Sequence, residues 1–157
     1  MKKAVLTLTN KDPKGNPIGD LVVTMNFIKK LPAPLISLFS FNLALAGKKP
    51  IQFNLICTDA GSFFKLMSNL MGPNPVLPGS ATRFSTTNSS GQPNGAVQIK
   101  LTLYPYVDPS GNTITYFAYS FLPDHGIEMG VLLGSADAGV FYYAFDCFLS
   151  TNPPNPA

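Results

Sequence analysis

The chain has 157 residues, about one domain, and only 12% of them are charged, against about a quarter in an average soluble protein. Hydrophobic residues make up 45% of the sequence, which excludes a disordered chain and supplies a core. There is one histidine, one arginine and one glutamate. Because metal sites, acid–base pairs and phosphate clamps need such side chains, we expect no metal, no cofactor and no enzyme activity.

The net charge of +3 is unevenly distributed along the sequence. Residues 1–65 carry nine lysines and three aspartates, or +6, whereas residues 66–157 carry two basic and five acidic side chains, or −3. Opposite charges in the two halves favour head-to-tail association between copies. Readout of nucleic-acid bases depends largely on the bidentate guanidinium group, so a single arginine predicts no nucleic-acid partner.

No targeting or membrane segment is predicted. Lys2 and Lys3 resemble the start of a secretion signal, but the apolar run that follows is only three residues long. The longest apolar stretch, residues 31–46, is interrupted by prolines and polar residues and is too short to span a bilayer. We therefore expect a cytoplasmic protein without a membrane span, with leaderless export as the alternative.

Alternating apolar and polar residues predict eight half-buried antiparallel strands. These predicted strands are residues 4–9, 20–29, 37–45, 51–57, 97–103, 113–122, 128–133 and 140–149. Short connections between them are typical of hairpins. We predict an all-β, single-domain antiparallel β-sandwich of about eight strands over residues 1–150, with an eight-stranded β-barrel as the alternative, and a Pro/Asn-rich tail at 151–157.

One segment, residues 62–71, has helical periodicity instead. Its apolar residues recur at i, i+3, i+4, i+7 and i+8 from Phe63, Ser62 stands in the N-cap position, and a Gly-Pro pair follows. We predict one short amphipathic helix that covers an open end of the β core, or alternatively a Met-rich groove for a partner. Residues 72–96, rich in Gly, Pro, Ser, Thr and Asn, are predicted to form a long loop.

Two stretches of sequence repeat one another. Leu-Thr-Leu followed by Asp-Pro-x-Gly-Asn occurs twice, with the predicted turns at residues 12–16 and 108–112. Asp, Pro and Gly in these positions favour a type I turn with a left-handed glycine. We hypothesise an internal repeat of residues 1–60 and 97–150, linked by the helix and the loop. Shared turn chemistry without a repeat is the alternative.

The hairpin around residues 109–111 has a predictable register. If these three residues form the loop, Tyr104 lies opposite Tyr116, and Tyr106 lies opposite Ile114, on the more exposed face. Tyrosine combines a large contact area with a polar tip, as binding surfaces prefer. The four residues are therefore candidates for a ligand or assembly surface; a sheet covered on both faces is the alternative.

Three further residues are candidates for ligand contact. Arg83 and Phe84 lie in the predicted long loop, near the open end of the β core. Asp146 lies inside an apolar run predicted as a strand, where a charge requires solvent or a partner. If that strand lines a cavity, Asp146 is the best candidate for a group that orients a ligand.

No catalytic residue is predicted, because the sequence contains no nucleophile elbow, phosphate-binding loop or metal motif. His125 is predicted to be a solvated turn residue. Cys57 and Cys147 are predicted to be buried free thiols, with a disulfide between them as the alternative.

These patterns favour a non-catalytic structural or interaction protein that self-associates into a homo-oligomer through weakly charged β surfaces, of the inclusion, coat, filament or adhesive type. The alternative is a module that binds a small apolar ligand or a carbohydrate. A cavity-based enzyme is a third, weaker possibility.

Overall fold

The computed structural model describes residues 2–28, 37–72 and 80–152. The strands are β1 (Lys3–Lys11), β2 (Pro17–Ile28), β3 (Leu38–Leu45), β4 (Ile51–Ile56), β5 (Ser80–Thr87), β6 (Pro93–Val107), β7 (Thr113–Pro123) and β8 (Met129–Leu133). The helices are α1 (Cys57–Met71), which follows β4, and α2 (Ser135–Thr151), which follows β8. All eight strands form one open antiparallel sheet in the order of the sequence. The predicted all-β fold is confirmed, while the choice between sandwich and barrel stays a prediction.

The same turn closes three of the hairpins, β1–β2, β5–β6 and β6–β7. The first residue of each turn, Asp12, Asn88 or Asp108, accepts a hydrogen bond on its side-chain oxygen from the backbone N–H four residues later, at 2.9, 3.0 and 2.8 Å. The fourth residue is a glycine with φ of 91°, 85° and 87°, a region that a side chain disfavours. In the first turn, the hydrogen bond from the Asn16 backbone lowers the pKa of Asp12.

Strand β5 replaces part of the predicted loop. Residues 80–87 are largely polar, which is why composition suggested a loop, but they pair with β6 and bring Phe84 opposite Val97. Phe84 is buried in the core, so the expectation that it belongs to an exposed loop is wrong. Residues 73–79 of the predicted loop lie outside the described residues.

Helix α2 replaces the predicted last strand. Residues 140–149 belong to this helix, in which Phe141, Phe145 and Phe148 recur at helical spacing and are buried. The helical period is hidden in the sequence because α2 also carries apolar residues on its outer side. The predicted first helix is confirmed, but α1 begins at Cys57, five residues before Ser62.

Both helices pack on the concave face of the sheet and fill it with aromatic rings. Phe63 of α1 contacts Phe41 of β3, and Phe141 and Phe145 of α2, with ring centroids 5.6, 6.4 and 5.2 Å apart. Ring pairs at such angles stabilise a core by about 0.5–1.5 kcal/mol beyond the area that they bury. One buried cluster contains residues from all eight strands and both helices. No helix among the described residues has the length and apolarity to cross a membrane.

Side chains protect the two outer edges of the sheet. The backbone N–H of Thr9 in β1 donates to the Asp137 carboxylate of α2 at 3.1 Å. The backbone N–H of Leu132 in β8 donates to the side-chain oxygen of Asn10 in β1 at 2.9 Å. The latter bond links the first strand to the last, although no ladder pairing joins them among the described residues.

The second half of the chain repeats the element order of the first, with four strands followed by a helix. In each half, the pairing of the first two strands shifts register near their turn. The glycine paired at the shift, Gly19 in the first half and Gly95 in the second, has φ of 145° or 142°. Both helices contain the sequence Asp-Ala-Gly-x-Phe, at residues 59–63 and 137–141. A common origin of the two halves, and the predicted repeat boundaries, stay predictions.

The helical assignment of α2 predicts that two aromatic residues two positions apart contribute very differently to the free energy of unfolding. Phe145→Ala leaves a cavity in the core and is expected to lower the free energy of unfolding by about 3–5 kcal/mol. Tyr143→Ala is expected to change it by less than about 0.5 kcal/mol in dilute protein, because Tyr143 is exposed. Urea unfolding measures both; a strand would place these alternate residues on the same face, so equal losses would contradict the helix.

Because Tyr119 is buried, deprotonation of its phenol destabilises the folded protein at alkaline pH. Its phenol stacks on Phe141 with ring centroids 5.7 Å apart, and burial raises the pKa of Tyr119 above the usual value of about 10. The contribution to stability is therefore complete below about pH 10 and is lost as the pH rises further. We expect Tyr119→Phe to lose less stability than the wild type between pH 8 and about pH 11, as measured by urea unfolding. Parallel alkaline losses in the two proteins would contradict this assignment.

Candidate functional site

The predicted register of the β6–β7 hairpin is confirmed. Tyr104 pairs with Tyr116, and Tyr106 pairs with Ile114, so the four candidate residues lie together on one face. We call residues 104–116 the β6–β7 arm.

The arm extends beyond the strands that flank it. On one side, β5 pairs with β6 only as far as Leu101, and on the other, β8 pairs with β7 only from Phe117 onward. Within the described ranges, the arm is therefore a two-stranded ribbon with no strand beside it. It carries one charged residue, Asp108, at its tip.

Most of the apolar surface of the arm faces solvent. Val107 is 62% exposed, Tyr104 and Ile114 are also exposed, and Tyr106 is half-buried. Tyr116 differs, because it is only 3% exposed. Its side chain lies under the β1–β2 turn, where a Cβ on Gly15 would come within 2.8 Å of the Tyr116 hydroxyl. The expectation that Tyr116 contributes exposed surface is therefore wrong.

The two edges of the arm differ in their backbone groups. The turn bond from the Asp108 N–H to the Asn112 oxygen fixes which residue pairs exchange hydrogen bonds between the strands. Counting from it, Pro105 and its partner Thr115 direct their backbone groups outward. Pro105 offers no N–H, which protects the β6 edge, whereas the β7 edge presents the N–H and C=O groups of Thr113 and Thr115.

Arg83 lies on β5 and forms an ion pair with Asp124, which precedes His125 in the β7–β8 turn, at 2.8 Å. The Arg83 side chain is 63% exposed, so this pair contributes at most about 1 kcal/mol. His125 is exposed in the turn, as predicted. Because the Asp124 carboxylate is engaged by Arg83, this arrangement is a surface ion pair and does not form an acid–base dyad.

Asp146 lies on the solvent side of α2, outside both surface grooves described below. The predicted strand at this position is wrong, because Asp146 lies in a helix that turns it outward, and the condition for a ligand-orienting role, a strand that lines a cavity, is not met. Cys57 is half-buried and Cys147 exposed, and both are free thiols. The prediction of free thiols is confirmed, but the predicted burial of Cys147 is wrong for the same reason.

The larger of the two grooves, of about 660 Å³, lies between the β1–β2 turn and the outer face of β6, β7 and β8. Its floor includes the small residues Ala118, Ser120 and Gly130, and Lys11 and Lys100 also line it. The Ser120 hydroxyl donates to the Glu128 carboxylate at 2.9 Å. No histidine lines this groove. The groove thus offers hydrogen-bonding groups, two lysines and a carboxylate that accepts a hydrogen bond from the serine.

The second groove, of about 590 Å³, lies between the β3–β4 and β7–β8 turns and includes Lys48, Lys49 and His125. Across residues 2–28, 37–72 and 80–152, no three His, Cys, Asp or Glu side chains cluster closely enough to hold a metal ion.

Sequence reasoning missed the outer face of α2. Val140 is 50% exposed and Tyr143 is 70% exposed there, the latter being among the most exposed large apolar residues described. The only signal in the sequence was their spacing of three residues, which the apolar residues on the buried side obscured.

Comparison with protein-family models, curated proteins and solved structures found no match to this chain.

The contribution of the hydrogen bond between Asn10 and Leu132, which lies in one wall of the larger groove, can be tested by substitution. Asn10→Ala leaves the buried-edge N–H of Leu132 without its acceptor and is expected to lower the free energy of unfolding by about 1–3 kcal/mol. Asn16→Ala is the control, because its side-chain bond to Asp12 is exposed. Hydrogen exchange should accelerate at the Leu132 amide in the first variant alone. Unchanged exchange there would show that this bond does not hold the two edges together.

Proposed function

We propose that this protein is a non-catalytic structural protein that self-associates through weakly charged β surfaces, and that the β6–β7 arm is a contact surface. The observation that carries the proposal is the arm itself, a ribbon with exposed apolar residues, an unpaired β7 edge and one charge at its tip. Natural proteins usually protect such edges with charge, bulges or covering segments.

The β7 edge of the arm supplies the backbone part of the contact. Thr113 and Thr115 direct outward N–H and C=O groups that have no partner within residues 2–28, 37–72 and 80–152. The same edge on a second copy presents the same groups in the opposite direction. Two arms can therefore pair antiparallel and form a four-stranded ribbon. An isolated two-stranded ribbon is marginally stable in water, whereas three or more strands with an apolar face are stable.

The side chains on the arm supply the apolar part of the contact. Tyr104 and Ile114 expose uncharged surface on one face of the arm, and Val107 exposes it on the other. Burying such surface stabilises an interface by roughly 25 cal/mol per Å², before the entropy of association is subtracted. No charged side chain other than Asp108 would have to be desolvated on the arm.

The filled interior of the sheet also favours a structural role. The concave face of the sheet is filled by the phenylalanines of the two helices, so it offers no preformed interior site among the described residues. The two concavities described above are open surface grooves.

A second candidate function is the binding of a carbohydrate or another small polar-apolar ligand in the groove of about 660 Å³. The groove has the size of a ligand site, and Ser120, Glu128 and Lys100 provide polar contacts there. Thermal denaturation in the presence of monosaccharides tests this function. A bound sugar should raise the unfolding midpoint temperature of the wild type but not that of Ser120→Trp, in which the larger side chain fills the groove.

Blocking the arm tests the structural proposal. Thr115→Pro removes an outward N–H while keeping the bonds between β6 and β7, as Pro105 does on the opposite strand, and Ile114→Lys adds charge to the exposed face. Each is expected to weaken self-association at least about tenfold, or about 1.4 kcal/mol, in sedimentation velocity.

Ile127→Lys is the matched control, because Ile127 is 87% exposed in the β7–β8 turn, away from the arm. It should associate like the wild type. Equal association in all four proteins would reject the arm as a contact surface.

A further inference from the structure

The outer face of α2 has the pattern of a helix that packs against another helix. Ala136, Val140, Tyr143 and Cys147 follow one another at intervals of four, three and four residues. This spacing keeps apolar residues along one stripe and is the spacing of the a and d positions in a coiled coil. Val140, Tyr143 and Cys147 are exposed in the structure.

Helix α1 shows that the fold does not require this apolar stripe. The Asp-Ala-Gly-x-Phe sequence shared by the helices places each residue of α1 at a matching position in α2. On the buried side the match is close, because both helices bury the alanine and phenylalanine of this sequence. On the outer side, the positions that match the α2 stripe are all polar in α1: Thr58, Ser62, Lys65 and Asn69. The apolar outer face is therefore a property of α2 alone.

We propose that α2 docks against α2 of a second copy of this chain, in an antiparallel pair across a twofold axis. This inference rests on the proposed self-association and adds a second contact surface to the arm. An a/d stripe is complementary to another stripe of the same spacing, and α2 is the described helix of this chain whose outer face has one. Docking α2 on α1 of a second copy would instead bury Lys65 against apolar side chains, which is unfavourable.

The charge on α2 provides a test that distinguishes a second copy of this chain from a basic partner. Helix α2 contains Asp137 and Asp146 and no lysine or arginine, and Asp137 already accepts the bond from Thr9. Asp146 is exposed beside Cys147, so an α2–α2 pair brings only negative charge to its border. Association through α2 should therefore strengthen with added salt and in Asp146→Asn. A basic partner would show the opposite sign for both changes.

Two contact surfaces that each pair with themselves allow the assembly to grow. The arm of each copy binds one neighbour and α2 binds another. Copies linked by these alternating contacts form an open chain unless the two twofold axes are arranged so that the assembly closes into a ring. Removing either surface should leave dimers, and removing both should leave monomers. This outcome makes the two contacts separable by experiment.

The decisive variant copies the outer face of α1 onto α2, as Val140→Ser, Tyr143→Lys and Cys147→Asn together. It should fold, since α1 carries these residues at the matching positions, and circular dichroism with urea unfolding checks this. Sedimentation velocity is measured with reductant present, so that Cys147 cannot form a disulfide. We expect the wild type to form species larger than dimers, the grafted variant to stop at dimers, and the graft combined with Thr115→Pro to be monomeric.

The reverse graft supplies the gain-of-function control. Ser62→Val, Lys65→Tyr and Asn69→Cys on α1, added to the grafted α2 variant, moves the stripe to α1 and should restore larger species. If the grafted α2 variant instead assembles like the wild type while Thr115→Pro alone gives monomers, the α2 contact is rejected and the arm stands. Monomeric wild-type protein would reject both, and assembly that reductant abolishes would also overturn helix docking.

Discussion

The structure depends on covering the concave face of one eight-stranded sheet. A single curled sheet exposes an apolar face unless another layer buries it, and here two short helices provide that layer. Phe63 of α1 lies at the centre, in contact with Phe141 and Phe145 of α2. Each helix directly follows the fourth strand of its half and packs against strands of both halves, α1 against β3, β4 and β6, and α2 against β1, β7 and β8. The interior is consequently filled by side chains.

The outer surface combines few charges with uneven protection of its strand edges. The edges of β1 and β8 are satisfied by Asp137 and Asn10, and the β6 edge of the arm is protected by Pro105. The β7 edge at Thr113 and Thr115 has no such device among the described residues. The low content of charged residues in the sequence thus corresponds to a strand edge that no charged side chain protects in the described part of the chain. The proposed contacts between copies use two of the apolar surfaces, the β7 edge of the arm and the outer face of α2.

Local chemistry explains how much of this could be predicted from the sequence. The hairpin register and the pairing of Tyr104 with Tyr116 were predictable, because turn chemistry and alternation agree over residues 97–123. Helix α2 was not, because a helix that is apolar on both sides has no visible period, and its misassignment also misplaced Asp146. Strand β5 was missed because it is polar. The burial of Tyr116 depends on Gly15, a contact between distant parts of the sequence that local patterns do not contain.

Sedimentation velocity of the unmodified chain over a wide range of concentrations is the direct test of self-association. The monomer has a mass of 16.8 kDa. The weight-average mass is expected to rise with concentration beyond that of a dimer in reducing buffer, because each copy has two separate proposed contact surfaces. A mass that stays at that of the monomer up to millimolar concentration would contradict it.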